Sequence, residues 1–285
     1  MSSLASLRIG ILGLGQIGGS MATCLSRTSS TSQVIGYDIR PELVQTALEA
    51  KVIATDASSV IGLIENSEIV VLALPVGETL STLREHANAL AGKVAITDTG
   101  SVKAEIVAAA REVGLTNFVG GHPLTGTEKR GAESWDGALF EGATYFLTSK
   151  GQTESGATEV ISLLVDALQA KPSLVNPEQH DRIFAVTSNL PHLLAFCLER
   201  TLDDFAAPGL DTELFRGPSF RGATRVAKSD PEMVFEMLWH NRANLSESVG
   251  LLIERLTNAK GVLDSSDEVK FRQILHEELH DLKGD

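Results

Sequence analysis

The sequence predicts an α/β fold in its first half and an all-helical fold in its second half. Short runs rich in Ile and Val alternate with amphipathic segments as far as residue 175, a pattern typical of βαβ units around a mainly parallel sheet. A glycine-rich turn follows the first run and opens a helix. After residue 176 the strand signals stop and long helical patterns follow. We therefore predict a Rossmann-like domain over residues 1–175 and an all-helical domain over residues 176–285.

The individual elements follow from the length and the period of each apolar stretch. Strands are predicted at the short β-branched runs LRIGIL, QVIGYD, EIVVLAL, KVAITD, TNFVGG, ATYFLTS and KPSLVN. The helical period predicts helices between them at 41–50, 78–90, 102–113 and 154–170. In the second half it predicts helices at 178–202, 231–260 and 267–283, with a kink or break at Pro191.

Composition narrows the class of protein. The net charge of −13 argues against a general nucleic-acid binder, which needs clustered Lys and Arg. The only cysteines, Cys24 and Cys197, lie far apart, and no Cys or His spacing suggests a metal site. Neither a signal peptide nor an apolar run long enough to span a membrane is visible, so we expect a cytoplasmic protein. The apolar helical half needs a surface to pack on, which favours a homodimer.

The glycine-rich turn predicts a dinucleotide site. Gly13, Gly15 and Gly18 form a GxGxxG pattern between the first strand and a helix. These glycines permit a tight turn and a close approach of pyrophosphate, and the N–H groups at the helix start, including that of Ile17, face the phosphate charge.

Residues at two later strand ends refine this prediction. Asp38 follows the second strand, where a carboxylate accepts hydrogen bonds from the ribose hydroxyls and repels a 2′-phosphate, so we expect NAD rather than NADP. Arg40 can stack on adenine, can partly restore binding of NADP, or can be a solvated surface charge. Pro75 either borders the nicotinamide or simply ends its strand.

Hydride transfer from an alcohol needs a base, and histidine suits that task near neutral pH. His122 and His192 have the most suggestive surroundings. We assign His180, in PEQHD, to a helix-capping network. The remaining four are interpreted as solvated: His86, His240, His276 and His280.

Several motifs together carry a resemblance to a known family. The chain contains, in this order, GLGQIGGS, TDTGSVK, GGHPLTGTE, TSNLPH and SFRGATRVAKSDP. This set resembles the prephenate and arogenate dehydrogenases of tyrosine biosynthesis, also called cyclohexadienyl dehydrogenases, over nearly the whole chain. The resemblance implies oxidative decarboxylation of a cyclohexadienyl substrate with NAD.

The resemblance also implies roles for individual residues. His122 would accept the proton of the ring hydroxyl, Ser101 would orient that hydroxyl and the nicotinamide, and Arg225 would bind a substrate carboxylate. His192 would line the same pocket, with Thr127 and Glu128 near the substrate side chain. The residues alone leave open simpler roles: a helix N-cap for Ser101, a surface ion pair for Arg225 and a structural role for His192. Glu128 can instead pair with Lys129 or Arg130.

The match departs from the family pattern at Asn189, where the family has a first histidine in its Ser-His-Leu-Pro-His motif.

We favour prephenate as the substrate, with arogenate as the alternative. Two other classes remain open: a β-hydroxyacid dehydrogenase, whose lysine-bearing helix we do not find in the second half, and a nucleotide-sensing protein. A nucleotide-sensing protein would not need His122, Ser101 and Arg225 together.

Overall fold

One sheet organises the first half of the chain. The structure, a computed structural model, describes residues 4–27, 33–126, 131–148 and 155–281. Within these ranges the sheet has the order β3-β2-β1-β4-β5-β6-β7-β8, and every neighbouring pair is parallel except β6 and β7. The strands are β1 (Arg8–Leu12), β2 (Gln33–Tyr37), β3 (Thr55–Asp56), β4 (Ile69–Leu72), β5 (Ala95–Asp98), β6 (Phe118–Pro123), β7 (Thr144–Thr148) and β8 (Lys171–Leu174). The order of β1 to β6 is that of a Rossmann fold, as predicted.

Helices cover both faces of this sheet. They are α1 (Gln16–Arg27), α2 (Pro41–Glu49), α3 (Val60–Glu65), α4 (Val76–Glu85), α5 (Ala87–Leu90), α6 (Ala104–Glu112) and α7 (Ser155–Ala167). Successive side chains of a strand point to opposite faces, so Ile69 joins the core beneath α1, α2 and α7 while Val70 joins the core beneath α3, α4 and α6. The two-residue strand β3 and the short helix α3 were not predicted from the sequence.

The second half is helical, as predicted. It contains α8 (Pro177–Phe184), a π-helical turn (Ala185–Asn189), α9 (Leu190–Phe205), α10 (Pro218–Thr224), α11 (Pro231–His240), α12 (Arg242–Asp264) and α13 (Glu268–Asp281), with 3-10 turns at Thr212–Phe215 and Arg225–Lys228. The wide π turn comes just before Pro191, which lacks the N–H that a regular helix would use.

The predicted helix 231–260 is wrong as a single element. It consists of α11 and α12, which are separated at the buried residue Asn241. The Asn241 side chain donates to the Asp181 carbonyl and to Asn189 Oδ1, each at 2.7 Å. These bonds fix the break because they tie it to the buried residue Asp181 within α8 and to the π turn.

Apolar side chains remain uncovered on the helical half of the single chain. On α12, Leu251, Ile253 and Leu256 are each more than half exposed. No helix in the described ranges is both long and apolar enough to cross a membrane.

Candidate active site

The carboxyl ends of the parallel strands bring together site residues from five separate stretches of sequence. Gly13 follows β1, Asp38 follows β2, Pro75 follows β4, Ser101 follows β5, and His122 lies near the end of β6. In an open α/β sheet this edge forms the ligand crevice. The topology therefore gathers the residues predicted for the cofactor and for the proton transfer at one edge.

The glycine-rich turn is shaped by close packing and leaves room at its middle glycine. Gly13 has φ of 94°, and a Cβ there would lie 2.3 Å from the Ala73 carbonyl oxygen. A Cβ on Gly18 would lie 1.9 Å from the Gly13 carbonyl oxygen. A Cβ on Gly15 would meet no protein atom within 4 Å. Ile17 lies in the first turn of α1, where backbone N–H groups lack helical partners. This open cradle at a helix start fits a dinucleotide pyrophosphate.

Asp38 is a buried carboxylate that braces the same turn. The Leu14 N–H donates to its Oδ2 at 2.7 Å, while the Arg40 backbone N–H and Nε donate to its Oδ1 at 2.9 and 3.0 Å. Burial raises the pKa of the Asp38 carboxyl, but the hydrogen bonds from Arg40 and Leu14 outweigh it, so the pKa lies below its usual value. Arg40 is therefore not a purely solvated charge, because its half-exposed side chain is paired with Asp38.

A buried ion pair supports the ends of β5 and β6. Lys103 and Asp98 are fully buried and form a salt bridge, and Lys103 Nζ also donates to the Gly121 carbonyl at 2.7 Å. The Asp98 carboxylate accepts the N–H groups of Gly100 and Gly121 at 2.8 and 3.0 Å. Burial lowers the pKa of the Lys103 ammonium, an effect that Asp98 opposes. These contacts fix the backbone next to His122.

Ser101 lies half-buried in the turn between β5 and α6. The N-cap alternative for Ser101 is wrong, because α6 begins at Ala104 and Lys103 occupies the capping position. The carboxylate of Asp181, on α8, instead accepts the N–H groups of Lys103 and Ala104 at 2.7 and 2.8 Å. An anion at a helix N-terminus is stabilised by the helix dipole.

His122 ends a chain of three side chains. Its Nδ1 lies 2.8 Å from His180 Nε2, and His180 Nδ1 lies 2.7 Å from Asp181 Oδ1. His122 is buried, and the pKa of its imidazole is held well below 6.5 by burial first, and then by His180 and Lys103. A neutral imidazole can accept a proton, which is the state required of a base.

Aromatic rings enclose this pair of histidines. Phe184 stacks on His180 with ring centroids 4.3 Å apart and lies 4.9 Å from the His122 ring. Phe146, on β7, meets His180 edge-on at 5.7 Å. The apolar rings exclude water from the two imidazoles, which agrees with the lowered pKa of His122.

His180 belongs to a helix-capping network only through Asp181, which caps α6, and a role for His180 in capping its own helix, α8, is wrong. Asn176 caps α8 by accepting the N–H groups of Glu178 and Gln179, and this leaves His180 to contact His122. The interpretation of His240 as solvated is also wrong, because its Nδ1 lies 2.8 Å from Glu105 Oε2. The neighbouring His180 and Asp181 in PEQHD were the signal available in the sequence, since a carboxylate beside a histidine can orient its ring.

The structure distributes the remaining predicted residues along the helical half. His192 is half-buried at the start of α9, and its Nδ1–H donates a hydrogen bond to the Ser188 carbonyl oxygen at 2.9 Å. Arg225 is exposed at the start of the 3-10 turn that packs against α9. Pro75 is exposed just before α4. Thr127 and Glu128 lie outside the described residues.

Asn189 has a structural contact in this chain. Its side chain is almost fully buried, and its Oδ1 accepts the Asn241 amide hydrogen. The polar group at this position therefore links the π turn to the break between α11 and α12.

A Rossmann-type cradle on the same sheet edge as a buried neutral histidine defines a dinucleotide-dependent dehydrogenase. Residues 21–174 match the family model described as prephenate dehydrogenase, nucleotide-binding domain, and residues 176–277 match the prephenate dehydrogenase dimerization domain. The chain therefore belongs to the prephenate dehydrogenase family, and it is an NAD(P)-dependent oxidoreductase with a dimerization-type helical domain.

Individual relatives agree with this placement. A prephenate dehydrogenase of Bacillus subtilis is 32% identical over 260 residues, which cover 90% of this chain and 70% of the relative. The crystal structure of a prephenate dehydrogenase from Aquifex aeolicus, in complex with hydroxyphenyl propionate and NAD+, matches with a TM-score of 0.89 and 30% identity over 100% of both chains. A Synechocystis arogenate dehydrogenase structure matches with a TM-score of 0.81 and 25% identity over 96% of this chain and 98% of that one.

Proposed function

We propose that this protein catalyses the oxidative decarboxylation of prephenate to 4-hydroxyphenylpyruvate, with His122 as the proton acceptor. The observation that carries the proposal is the buried, neutral His122 at the ligand edge of the sheet, held by His180 and Asp181. Family membership supplies the substrate class.

The hydrogen bonds define which nitrogen of His122 is the base. The Asp181 carboxylate accepts two backbone N–H groups and has no hydrogen to donate. It therefore also accepts the hydrogen bond from His180 Nδ1–H. His180 Nε2 then carries the lone pair that accepts from His122 Nδ1–H. This arrangement leaves the lone pair of His122 on Nε2, where it can accept the proton of the substrate hydroxyl.

The reaction requires a base and the alignment of the reacting groups. It does not require a nucleophile. A nicotinamide bound at this edge would supply the hydride acceptor for the ring carbon that bears the hydroxyl. His122 accepts the hydroxyl proton as that carbon becomes a carbonyl. The bond to the ring carboxylate then breaks, its electron pair moves through the ring to the carbonyl oxygen, and CO2 leaves. The oxygen takes back the proton from His122 as the phenol forms. Aromatisation drives the step, so the protein chiefly aligns the reacting groups.

We propose the following roles for the other predicted residues. Arg225 binds a substrate carboxylate, for which a guanidinium offers a matching planar pair of donors. Ser101, in the turn after β5, orients the ring hydroxyl and the nicotinamide. His192 lines the substrate pocket. Its Nδ1–H donates to the Ser188 carbonyl, so Nε2 is the nitrogen that can face a ligand. Thr127 and Glu128 are proposed to lie near the substrate side chain.

We propose NAD as the preferred cofactor, held by Gly13, Gly15, Ile17 and Gly18. The ionised carboxylate of Asp38 supports this preference, since it would repel a 2′-phosphate. Arg40, although paired with Asp38, is the group that would favour NADP if it turned outward.

We further propose a homodimer formed through the helical domain, which begins near residue 176. The uncovered apolar side chains of α12 and the match to a dimerization domain support it. A cytoplasmic location is proposed because both cysteines are free thiols, which a reducing compartment preserves.

Arogenate is the second candidate substrate. The Synechocystis arogenate dehydrogenase has the same fold as this chain, and Glu128, if it faces the side chain, would favour an ammonium over a keto group. The deciding experiment incubates the purified protein with prephenate or arogenate, each with NAD+ or NADP+. We expect the fastest reduction with prephenate and NAD+. No reduced cofactor in any of the four mixtures would overturn the proposed function.

A further inference from the structure

Trp135 makes an unusual contact with the glycine-rich turn. It follows a 3-10 turn (Ala132–Ser134) in the connection between β6 and β7. Its indole Nε1–H lies 3.1 Å from the carbonyl oxygens of both Leu14 and Gly15 and donates to them. A side chain far along the sequence thus binds the backbone at the centre of the proposed dinucleotide cradle.

The helix start is built to admit this indole. A Cβ on Gly19 would lie 1.9 Å from Trp135 Nε1, so only glycine at this position leaves room for the ring. The pattern GxGxxG does not require this fourth glycine of the segment 13–19, and the cofactor does not explain it. The close approach of Trp135 accounts for it.

Further hydrogen bonds hold the segment around Trp135 in place. The Asp136 N–H donates to Ser20 Oγ, on α1, at 3.0 Å. The Thr125 hydroxyl, just beyond β6, donates to the Leu139 carbonyl at 2.9 Å. The segment that carries Trp135 is therefore hydrogen-bonded both to α1 and to the residue that lies just beyond β6, the strand that carries His122.

The contact sets the orientation of two peptide planes. In a planar trans peptide the carbonyl and the following N–H point in opposite directions. Holding the Leu14 and Gly15 carbonyls toward Trp135 turns the N–H groups of Gly15 and Gln16 away from the indole. These N–H groups belong to the turn and the helix start that bind phosphate in Rossmann folds.

We propose that Trp135 is a positioning residue for the dinucleotide: it preorganises the cradle so that the backbone donors already face the pyrophosphate. This inference rests on the proposed dinucleotide site. Preorganisation raises affinity because the turn loses less freedom on binding. The effect should therefore appear in cofactor binding, and not in the chemical step.

The test measures the dissociation constants of NADH and NADPH for the full chain by titration without substrate. Trp135→Phe keeps an aromatic ring but removes the N–H donor, so the Kd of the preferred cofactor should rise about five- to tenfold. The matched control is Trp239→Phe, at the other tryptophan, which is half-exposed on α11 and stacks on Phe235. The control should bind cofactor like the wild type.

Gly19→Ala gives an independent perturbation. The added methyl forces the indole to move while Trp135 stays in the chain, and the Kd should rise as in Trp135→Phe. At saturating cofactor, kcat and the KM for prephenate should remain near wild type for both variants, which a general loss of structure would not allow.

Two results would overturn the inference. If the wild type binds NADH or NADPH and the folded Trp135→Phe variant binds within about twofold of it, the positioning role is wrong and the proposed cofactor site stands. If Trp135→Phe does not fold, the same comparison with Gly19→Ala decides. If the wild type binds neither dinucleotide, both the proposed cofactor site and this inference are wrong.

Discussion

Replacing Asp181 by Asn tests the hydrogen-bond chain that orients His122. The Asp181 carboxylate accepts three hydrogen bonds, from the N–H groups of Lys103 and Ala104 and from His180 Nδ1, at 2.7 to 2.8 Å. An amide has only one oxygen. Whichever way it turns, its NH2 group meets a backbone N–H at the start of α6, which leaves one buried donor unsatisfied.

The structure gives two expected magnitudes for Asp181→Asn. One lost buried hydrogen bond to a charged group should lower the free energy of unfolding by about 1.5–3 kcal/mol. Turnover should fall by about 10²-fold. In the wild type the Asp181 carboxylate stabilises, by way of His180, the positive charge that His122 acquires, and the amide does not. In one orientation the amide also reverses the tautomer of both histidines and places a proton on His122 Nε2, the atom that must accept one.

The assay is steady-state turnover with prephenate and NAD+, together with urea unfolding of the same samples. Asp267→Asn is the matched control, since Asp267 Oδ1 accepts the Lys270 N–H at 2.9 Å at the start of α13 and, within the part of the chain that the structure describes, contacts no histidine. The control should retain wild-type turnover. A folded Asp181→Asn variant with kcat within about threefold of wild type would show that Asp181 does not orient His122 for catalysis.

The remaining predictions concern pH, the cradle, the buried ion pair and the carboxylate site. Because burial holds the pKa of His122 well below 6.5, kcat/KM should stay level from neutral pH to below 6.5 and fall only as His122 becomes protonated; an acid limb centred above 6.5 would contradict this. Gly15→Ala should leave the unfolding midpoint unchanged, since its Cβ meets no protein atom, yet raise the Kd of NADH about tenfold or more; unchanged binding would place the pyrophosphate elsewhere. Lys103→Met strands the buried Asp98 charge and should cost about 3–5 kcal/mol in urea unfolding, part of which an added Asp98→Asn should restore; wild-type stability would argue against the ion pair. Arg225→Ala should raise the KM for prephenate about 10²-fold with a smaller change in kcat, and Arg225→Lys should recover part of the affinity; an unchanged KM would exclude the carboxylate role.

Local sequence patterns predicted much of this molecule. The alternation of β-branched runs with helical segments predicted seven of the eight strands in the sheet, and the strand ends predicted where Gly13, Asp38 and His122 would gather. The two-residue strand β3 was missed because so short an element carries no period. The break at Asn241 was missed because it depends on hydrogen bonds to Asp181 and Asn189, which are distant in the sequence.

The residues that hold the site in place were harder to predict than the reactive residue His122. His122 stands in a recognisable motif, whereas its contact with His180 spans 58 positions and joins two domains. The capping of α6 by Asp181 and the contact of Trp135 with the glycine-rich turn are likewise long-range. Such contacts depend on how α8 and the β6–β7 connection pack, and no spacing along the chain encodes that packing.

His122→Asn tests whether His122 takes a proton during turnover. Steady-state kinetics with prephenate and NAD+, accompanied by a direct measurement of prephenate binding, separate the chemical step from affinity. We predict that kcat falls by about 10²-fold or more while prephenate affinity stays near wild type, as expected for the loss of a positioned base. A large rise in KM with an unchanged kcat would exclude His122 as the proton acceptor and make it a binding residue.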